Sequence, residues 1–231
     1  MSDSIAADAK SAVDLFATGL NRWNIDLGGE ARRAFETYAE MLVDWNANRF
    51  NLTRLISPEQ IALNHFLDSM VLTQIAKAPA KITVIDVGTG AGFPGLAFKI
   101  FRQDINLVLV ESTQKKLTFC KAVAEAIGLT NIEFIHGRAE EPTVIKRLGQ
   151  TAEIVTARAV APLRTLIDWT APLVVTGGTI VAWKGTKVYE EVSEAKRTAD
   201  KLGLKMEVIE KQLAIDGVPP VTRYYVVISP R

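Results

Sequence analysis

The sequence predicts an α/β fold: a doubly wound, Rossmann-like sheet with a final antiparallel strand, preceded by a helical extension. Three observations predict it. Residues 1 to about 80 carry apolar side chains at helical spacing only. From residue 81 onward, short apolar runs alternate with helical stretches. The first of those runs empties into a glycine-rich turn that opens a helix. Two parts are therefore expected, an extension over 1–80 and a sheet domain over 81–231.

In the extension, 6–20 and 30–46 have helical periodicity, the second with Phe35, Tyr38, Met41, Leu42 and Trp45 on one stripe. A polar stretch follows over 46–57. Ser57-Pro58-Glu59-Gln60 then has the chemistry of a helix start. Ser57 caps, Pro58 suits the first helical position and Gln60 completes a capping box. On this third helix Leu63, Phe66, Leu67 and Met70 form the apolar stripe, and His65, Asp68 and Ser69 are expected on the opposite face. In the sheet domain the strand candidates are 82–87, 105–111, 132–136, 154–160, 179–183, 206–209 and 224–228. Helices fall between all but the last two, which implies a parallel sheet covered on both faces. The last strand returns across a short Gly-Pro-rich loop, 216–220, and is expected to run antiparallel.

The bulk properties narrow the function. A chain of 231 residues holds one domain with an appendage and a full core. A net charge of +1 excludes nucleic-acid binding through bulk charge but leaves a local basic face open. One cysteine, Cys120, excludes an internal disulfide and argues against a cysteine-based metal site. It sits mid-helix among Leu117, Phe119 and Val123 and is expected to be a packing residue. Residues 1–10 lack the basic-then-apolar pattern of a secretory leader. The most apolar stretch, 171–183, is interrupted by Gly177-Gly178 and is too short to span a bilayer. A cytoplasmic protein is the expectation, with no metal.

The run Ile82-Thr83-Val84-Ile85-Asp86-Val87 leads into Gly88-Thr89-Gly90-Ala91-Gly92-Phe93-Pro94-Gly95 and then a helix. Strand, turn and helix is the geometry in which a nucleotide-like ligand sits beyond the strand ends. The stretch from Gly90 also matches the dinucleotide pattern, a weak signal whose alternative is a purely structural turn. Asp86 favours S-adenosylmethionine over NAD. A carboxylate there can orient the turn or face the cationic methionine end, whereas beside a pyrophosphate it would repel. The next strand ends at Glu111, placed to accept hydrogen bonds from both ribose hydroxyls; this supports adenosine without choosing the cofactor. Gly88, Gly90, Gly92 and Glu111 are the expected contacts.

After the fourth strand, an Asn/Asp-Pro-Pro-aromatic tetrapeptide would grip an exocyclic amine. Here the sequence is Thr156-Ala157-Arg158-Ala159-Val160-Ala161-Pro162-Leu163. Carbon-5 pyrimidine chemistry needs a cysteine nucleophile, which a packing cysteine does not supply. A guanine N7 carries an in-plane lone pair, so no proton must leave before attack. An enzyme for that step need only align N7 with the methyl group and exclude water.

With those residues in view, the chain resembles the bacterial 16S ribosomal RNA guanine-N7 methyltransferases, also called glucose-inhibited division protein B, over about 48–228. The resemblance rests on Asn51-Leu52-Thr53, His65-Phe66-Leu67-Asp68-Ser69, the run Asp86 to Gly95, Arg138-Ala139-Glu140, and Thr156-Ala157-Arg158-Ala159-Val160-Ala161. It implies an S-adenosylmethionine-dependent enzyme acting on 16S ribosomal RNA or the small subunit, in which Gly88 and Phe93 touch the cofactor. It also implies that Ala139 and Glu140 lie beside the adenine and that Arg158 lines the pocket. Nothing is carried onto the first thirty or so residues.

Arg158 is an odd charge for an apolar strand end unless it meets a ligand or an acid. A substrate-binding patch is expected at Arg54, Lys184 and Arg223, with a solvated Lys184 as the alternative. His65 and Asp68 are expected to be a buried hydrogen-bonded pair fixing the extension, ahead of substrate contact. His136 is expected to be structural, and Lys146-Arg147 and Lys196-Arg197 to be solvated helix faces. The protein is expected to be a monomer. The rival readings are a small-molecule methyltransferase with the first helices as a lid, and a non-catalytic module that docks on the ribosome.

Overall fold

A computed structural model describes residues 2–76 and 79–231. Met1 and residues 77–78, which belong to the expected extension, lie outside the described residues. The extension begins with α1 (Ser2–Asn21) and α2 (Gly29–Asn48). A third helical run follows in four pieces: α3 (Pro58–Gln60), a π-helix (Ile61–Leu67), α4 (Asp68–Met70) and α5 (Leu72–Ile75). The capping box at its start is present: Ser57 Oγ accepts from the Gln60 amide and Gln60 Oε1 from the Ser57 amide, each at 3.3 Å. The π-helix was not expected.

The sheet is built from β1 (Thr83–Val87), β2 (Asn106–Glu111), β3 (Ile132–His136), β4 (Ala152–Arg158), β5 (Val174–Lys184), β6 (Leu204–Leu213) and β7 (Val221–Pro230). Between them run α6 (Gly95–Phe101), α7 (Gln114–Ile127), α8 (Pro142–Leu148), α9 (Leu163–Thr170) and α10 (Val188–Lys201). The strand order is β3-β2-β1-β4-β5-β7-β6. β1 to β5 pair in parallel, and β7 runs antiparallel to both β5 and β6. The chain thus winds outward from β1 to β3, then restarts beside β1 at β4. That reversal opens a crevice at the carboxyl ends of β1 and β4.

Each sheet face has its own apolar layer. On one, Val155, Ile167, Leu173 and Ala195 join the sheet to α9 and α10. On the other, Phe16 and Phe35 of the extension share a continuous buried cluster with Phe66, Leu107, Phe119 and Tyr225. The Phe16–Phe35 and Phe35–Phe66 ring centroids are 4.9 and 4.7 Å apart. The core therefore runs across the boundary expected near residue 80. This also explains a departure on the third helical run. His65, Asp68 and Ser69 are buried, at 3%, 4% and 0% exposure, because their side faces the sheet rather than water. A helix enclosed on all sides loses the polar face that periodicity assigns to it.

Candidate functional site

The glycine turn is held from several directions. The amides of Gly88 and Thr89 donate to Val110 O at 2.8 and 3.3 Å, continuing the β1–β2 pairing into the turn. Asp86 is fully buried beneath it. Its Oδ2 accepts from the Gly95 amide at 3.0 Å and its Oδ1 from Thr156 Oγ1 at 2.7 Å. Burial pushes its pKa up, against the hydrogen bonds it accepts. Of the two roles considered for Asp86, the structure shows orientation of the turn. Glu111 acts similarly: Oε2 accepts from the Gly90 amide and Oε1 from the Thr113 amide, both at 2.9 Å. Oε1 also accepts from Ser112 Oγ at 3.4 Å, and Oε2 retains a second acceptor site.

The three glycines of the turn do not do the same job. Gly88 and Gly90 are partly exposed, and a Cβ on Gly90 would meet only Gly88 O, at 3.9 Å. Gly92 is buried, and a Cβ there would collide with the Tyr38 hydroxyl and with Leu96. Tyr38 reaches in from α2 and donates to Ala91 O at 2.6 Å. Phe93, expected to touch cofactor, has its ring 2% exposed and sandwiched between Tyr38 (5.0 Å, 6°) and His65 (4.6 Å, 7°). Gly92 and the Phe93 ring thus face the extension, and any ligand contact by Phe93 falls to its backbone. Cys120 is a packing residue as expected: burial pushes its thiol well up, and its Sγ lies 3.5 Å from Gly90 O.

A cavity of about 170 Å³ opens beside the turn, lined by Gly88, Val110, Ser112, Ala139, Glu140 and Val160, among others. Its apolar walls suit a flat purine, and Ser112 and Glu140 supply polar atoms. A Cβ on Gly88 would come within 2.7 Å of Val160, so the slot requires glycine there. These residues fit the adenosine end of the expected cofactor. His136 Nε2 lies 2.9 Å from Ser112 O and supports the loop, a structural role.

A larger cavity, about 740 Å³, lies past the ends of β4 and β5 and shares Val160 with the first. Arg158 enters it, pinned from the extension. Nη1 donates to Asn64 O at 2.8 Å and to Asp68 Oδ2 at 3.3 Å, Nη2 lies 3.4 Å from His65 Nδ1, and the guanidinium stands 5.4 Å from the Phe93 ring centroid. The charge that looked odd in the strand therefore meets an acid. His65 Nε2 is 3.0 Å from Leu55 O, so the network assigns its proton there and leaves Nδ1 to accept from Arg158. Burial, then Arg158, hold the His65 pKa down to about 3. Burial raises the Asp68 pKa while Arg158 lowers it, and Tyr225 donates to Asp68 Oδ1 at 2.7 Å. His65 and Asp68 do fix the extension, but through Arg158 and Tyr225 rather than through each other. Ala159, with φ +55, bends the chain between Arg158, which lines the large cavity, and Val160, which lines both.

The expected basic patch is only partly assembled. Arg223 lines the large cavity and donates to Asn64 Oδ1. Lys184 lines it too, but its side chain is 7% exposed and donates to Ala161 O and Glu191 Oε2, each at 2.7 Å. Its charge is consumed as a structural tie, so it is not open to phosphate. Arg54 is exposed on the loop before α3, outside the cavity lining, and has no side-chain partner among the described residues. Lys146, Arg147, Lys196 and Arg197 are exposed helix residues. Sequence reasoning missed Tyr38 as the brace of the turn and Tyr225 as a partner of Asp68. Tyr38 stood in an apolar stripe, where nothing marks the destination of its hydroxyl.

The sheet order and the crevice at its reversal define a Rossmann-like α/β fold with a nucleotide-type site. The crystal structure of TYW2 of M. jannaschii, in complex with AdoMet, has this fold: TM-score 0.54 at 17% identity, over 70% of this chain and 73% of that one. The family model described as rRNA small subunit methyltransferase G matches residues 31–215. The ribosomal RNA small subunit methyltransferase G of Desulforamulus reducens is 42% identical over 178 residues, 77% of this chain and 74% of the relative. That of Caldanaerobacter subterraneus is 35% identical over 210 residues, 90% and 87% of the two chains. The chain belongs to the rRNA small subunit methyltransferase G family.

Proposed function

We propose that the protein transfers a methyl group from S-adenosylmethionine to N7 of a guanine in 16S ribosomal RNA, acting in the cytoplasm as a monomer. The observation that carries this reading is the span of the family match, 31–215, which includes Tyr38, the glycine turn, Glu140, Arg158 and Lys184.

In this reading the small cavity at Gly88, Ala139 and Glu140 takes the adenosine end, and the large one takes the guanine. When bound, the cofactor supplies an electrophilic sulfonium methyl. The residues around it orient and desolvate rather than move protons. His65, the histidine nearest Arg158, is buried, neutral and committed to Leu55 O, so it is no general base. N7 needs none. Methylation makes the ring cationic, and a bare guanidinium beside it would oppose that charge. Arg158 is instead paired with Asp68. It can donate singly to guanine O6, which leaves N7 free to attack. Alignment of this kind can account for much of a barrier reduction.

Tritium transfer from methyl-labelled cofactor tests the reading. Label should enter 16S ribosomal RNA and leave small metabolites unlabelled, and borohydride–aniline treatment should cut the labelled RNA at one guanine. Label in metabolites alone, or none in either, would reject it.

A further inference from the structure

We propose that Lys184 and Glu191 are positioning residues for methyl transfer: they clamp the loop over 159–163 and so fix Val160, the wall shared by the two cavities. This rests on the functional reading above.

The loop is held at both ends. At its start Arg158 is pinned to Asn64 O and Asp68. At its end Lys184 Nζ donates to Ala161 O, and Glu191 Oε2 accepts from the Leu163 amide, each at 2.7 Å. The two side chains also meet each other, at 2.7 Å. Leu163 opens α9, whose N-cap is Pro162, a residue with no side-chain acceptor for the first amides. Glu191 supplies that acceptor from α10, and a carboxylate suits the positive end of the α9 dipole. The Lys184 side chain is only 7% exposed. An ion pair so enclosed seldom adds stability over an apolar pair of the same size. What it adds here is a defined place for Ala161 and Leu163.

Between the two anchored ends stand Ala159, at φ +55, and Val160. Among the described residues Val160 is the one that lines both cavities. It also packs on the glycine turn, since a Cβ on Gly88 would come within 2.7 Å of a Val160 methyl. A group passing from the small cavity to the large one therefore crosses beside Val160. Displacement needs the attacking nitrogen, the methyl carbon and the sulfur in line, and a misplacement of about 1 Å can cost on the order of a hundred-fold in rate. The clamp sets that alignment through the loop, without touching either ligand.

The test pairs amide hydrogen exchange on the ligand-free protein with single-turnover rates at saturating RNA and cofactor. In Glu191→Ala and Lys184→Met, exchange should quicken over 159–163 while the central strands stay protected. The rate should fall on the order of ten-fold, with RNA affinity close to wild type. Glu191→Gln keeps an acceptor for both donors and should retain most of the rate. Val160→Ala leaves the clamp intact and trims the wall. It should slow the same step, and its loss should not add to that of Glu191→Ala. Unchanged exchange, or faster exchange with a wild-type rate, would overturn the proposal by making the pair structural only. A Lys184 variant that loses RNA affinity at an unchanged rate would overturn it by making Lys184 a phosphate contact. Additive losses, or a wild-type rate in Val160→Ala, would overturn it too, and this last variant decides even if the clamp variants fail to fold. Absence of methylation of any RNA by the wild-type protein would instead remove the functional reading and leave the exchange result standing.

Discussion

Gly90 and Gly92 are two residues apart in one turn, and each is constrained from a different side. At Gly90 the backbone holds φ +60 with open space where a side chain would go. Gly90→Val should therefore cost only the strain of a left-handed residue, about 1–2 kcal/mol, and lower Tm by a few degrees. With the cofactor approaching at Gly90 as proposed, its binding should be lost in calorimetry. Gly92→Ala must displace the Tyr38 hydroxyl and Leu96. It should destabilise more than Gly90→Val does, by about 2–3 kcal/mol, read in the same melts. The sequence pattern announces a turn but not which side of it meets ligand, so it does not separate Gly92, which packs against Tyr38 and Leu96, from Gly90, which faces open space. Arg158 was legible as a charge that needs a partner because apolar strand ends seldom tolerate one, and the partner is Asp68. Arg158→Ala should lower single-turnover rates on saturating RNA strongly. Arg158→Lys should recover little, because one ammonium cannot reach Asn64 O, Asp68 and His65 together as the planar fork does.

At the scale of elements, α2 and the π-helix do what no single strand can. α2 delivers Tyr38 to the back of the turn, and the π-helix with the start of α4 delivers Asn64, His65 and Asp68 to Arg158. Tyr38→Phe keeps the ring stack but leaves Ala91 O without its buried donor. A loss of about 1–2 kcal/mol is expected, with cofactor affinity falling more than RNA affinity. His65 also sets a pH dependence. Its folded pKa of about 3 lies below the 6.5 of the unfolded chain. Its contribution is therefore full above about pH 6.5 and is lost as pH falls from there toward 3. Chemical denaturation across that window should show wild-type stability declining toward acid more steeply than that of His65→Phe. The extension's helices and their capping box were legible from periodicity and local chemistry. The π-helix was not, because its five-residue hydrogen bonding is settled by what surrounds it, as is the burial of the nominally polar side.

Over the whole molecule, a net charge of +1 means RNA affinity must come from local cations. Removing Arg54 or Arg223 should each reduce the slope of log affinity against log salt by about 1. Lys184→Ala should leave that slope unchanged and lower Tm instead, since its charge is already paired with Glu191. The alternation of the sheet domain was visible because strands and helices differ in period. The seating of β7 between β5 and β6 was not, because strand order is a long-range choice that no local pattern carries. That seating has a consequence for biosynthesis. β6 precedes β7 in the chain, yet its ladder is made entirely with β7, as is the outer ladder of β5. A nascent chain that has emerged through β6 therefore has two raw edges with nothing to zip to, and Asp68 still waits for Tyr225. Closure of this end of the sheet waits for β7. Chains truncated before Val221 should be cut by protease within β5 and β6, while the full chain resists.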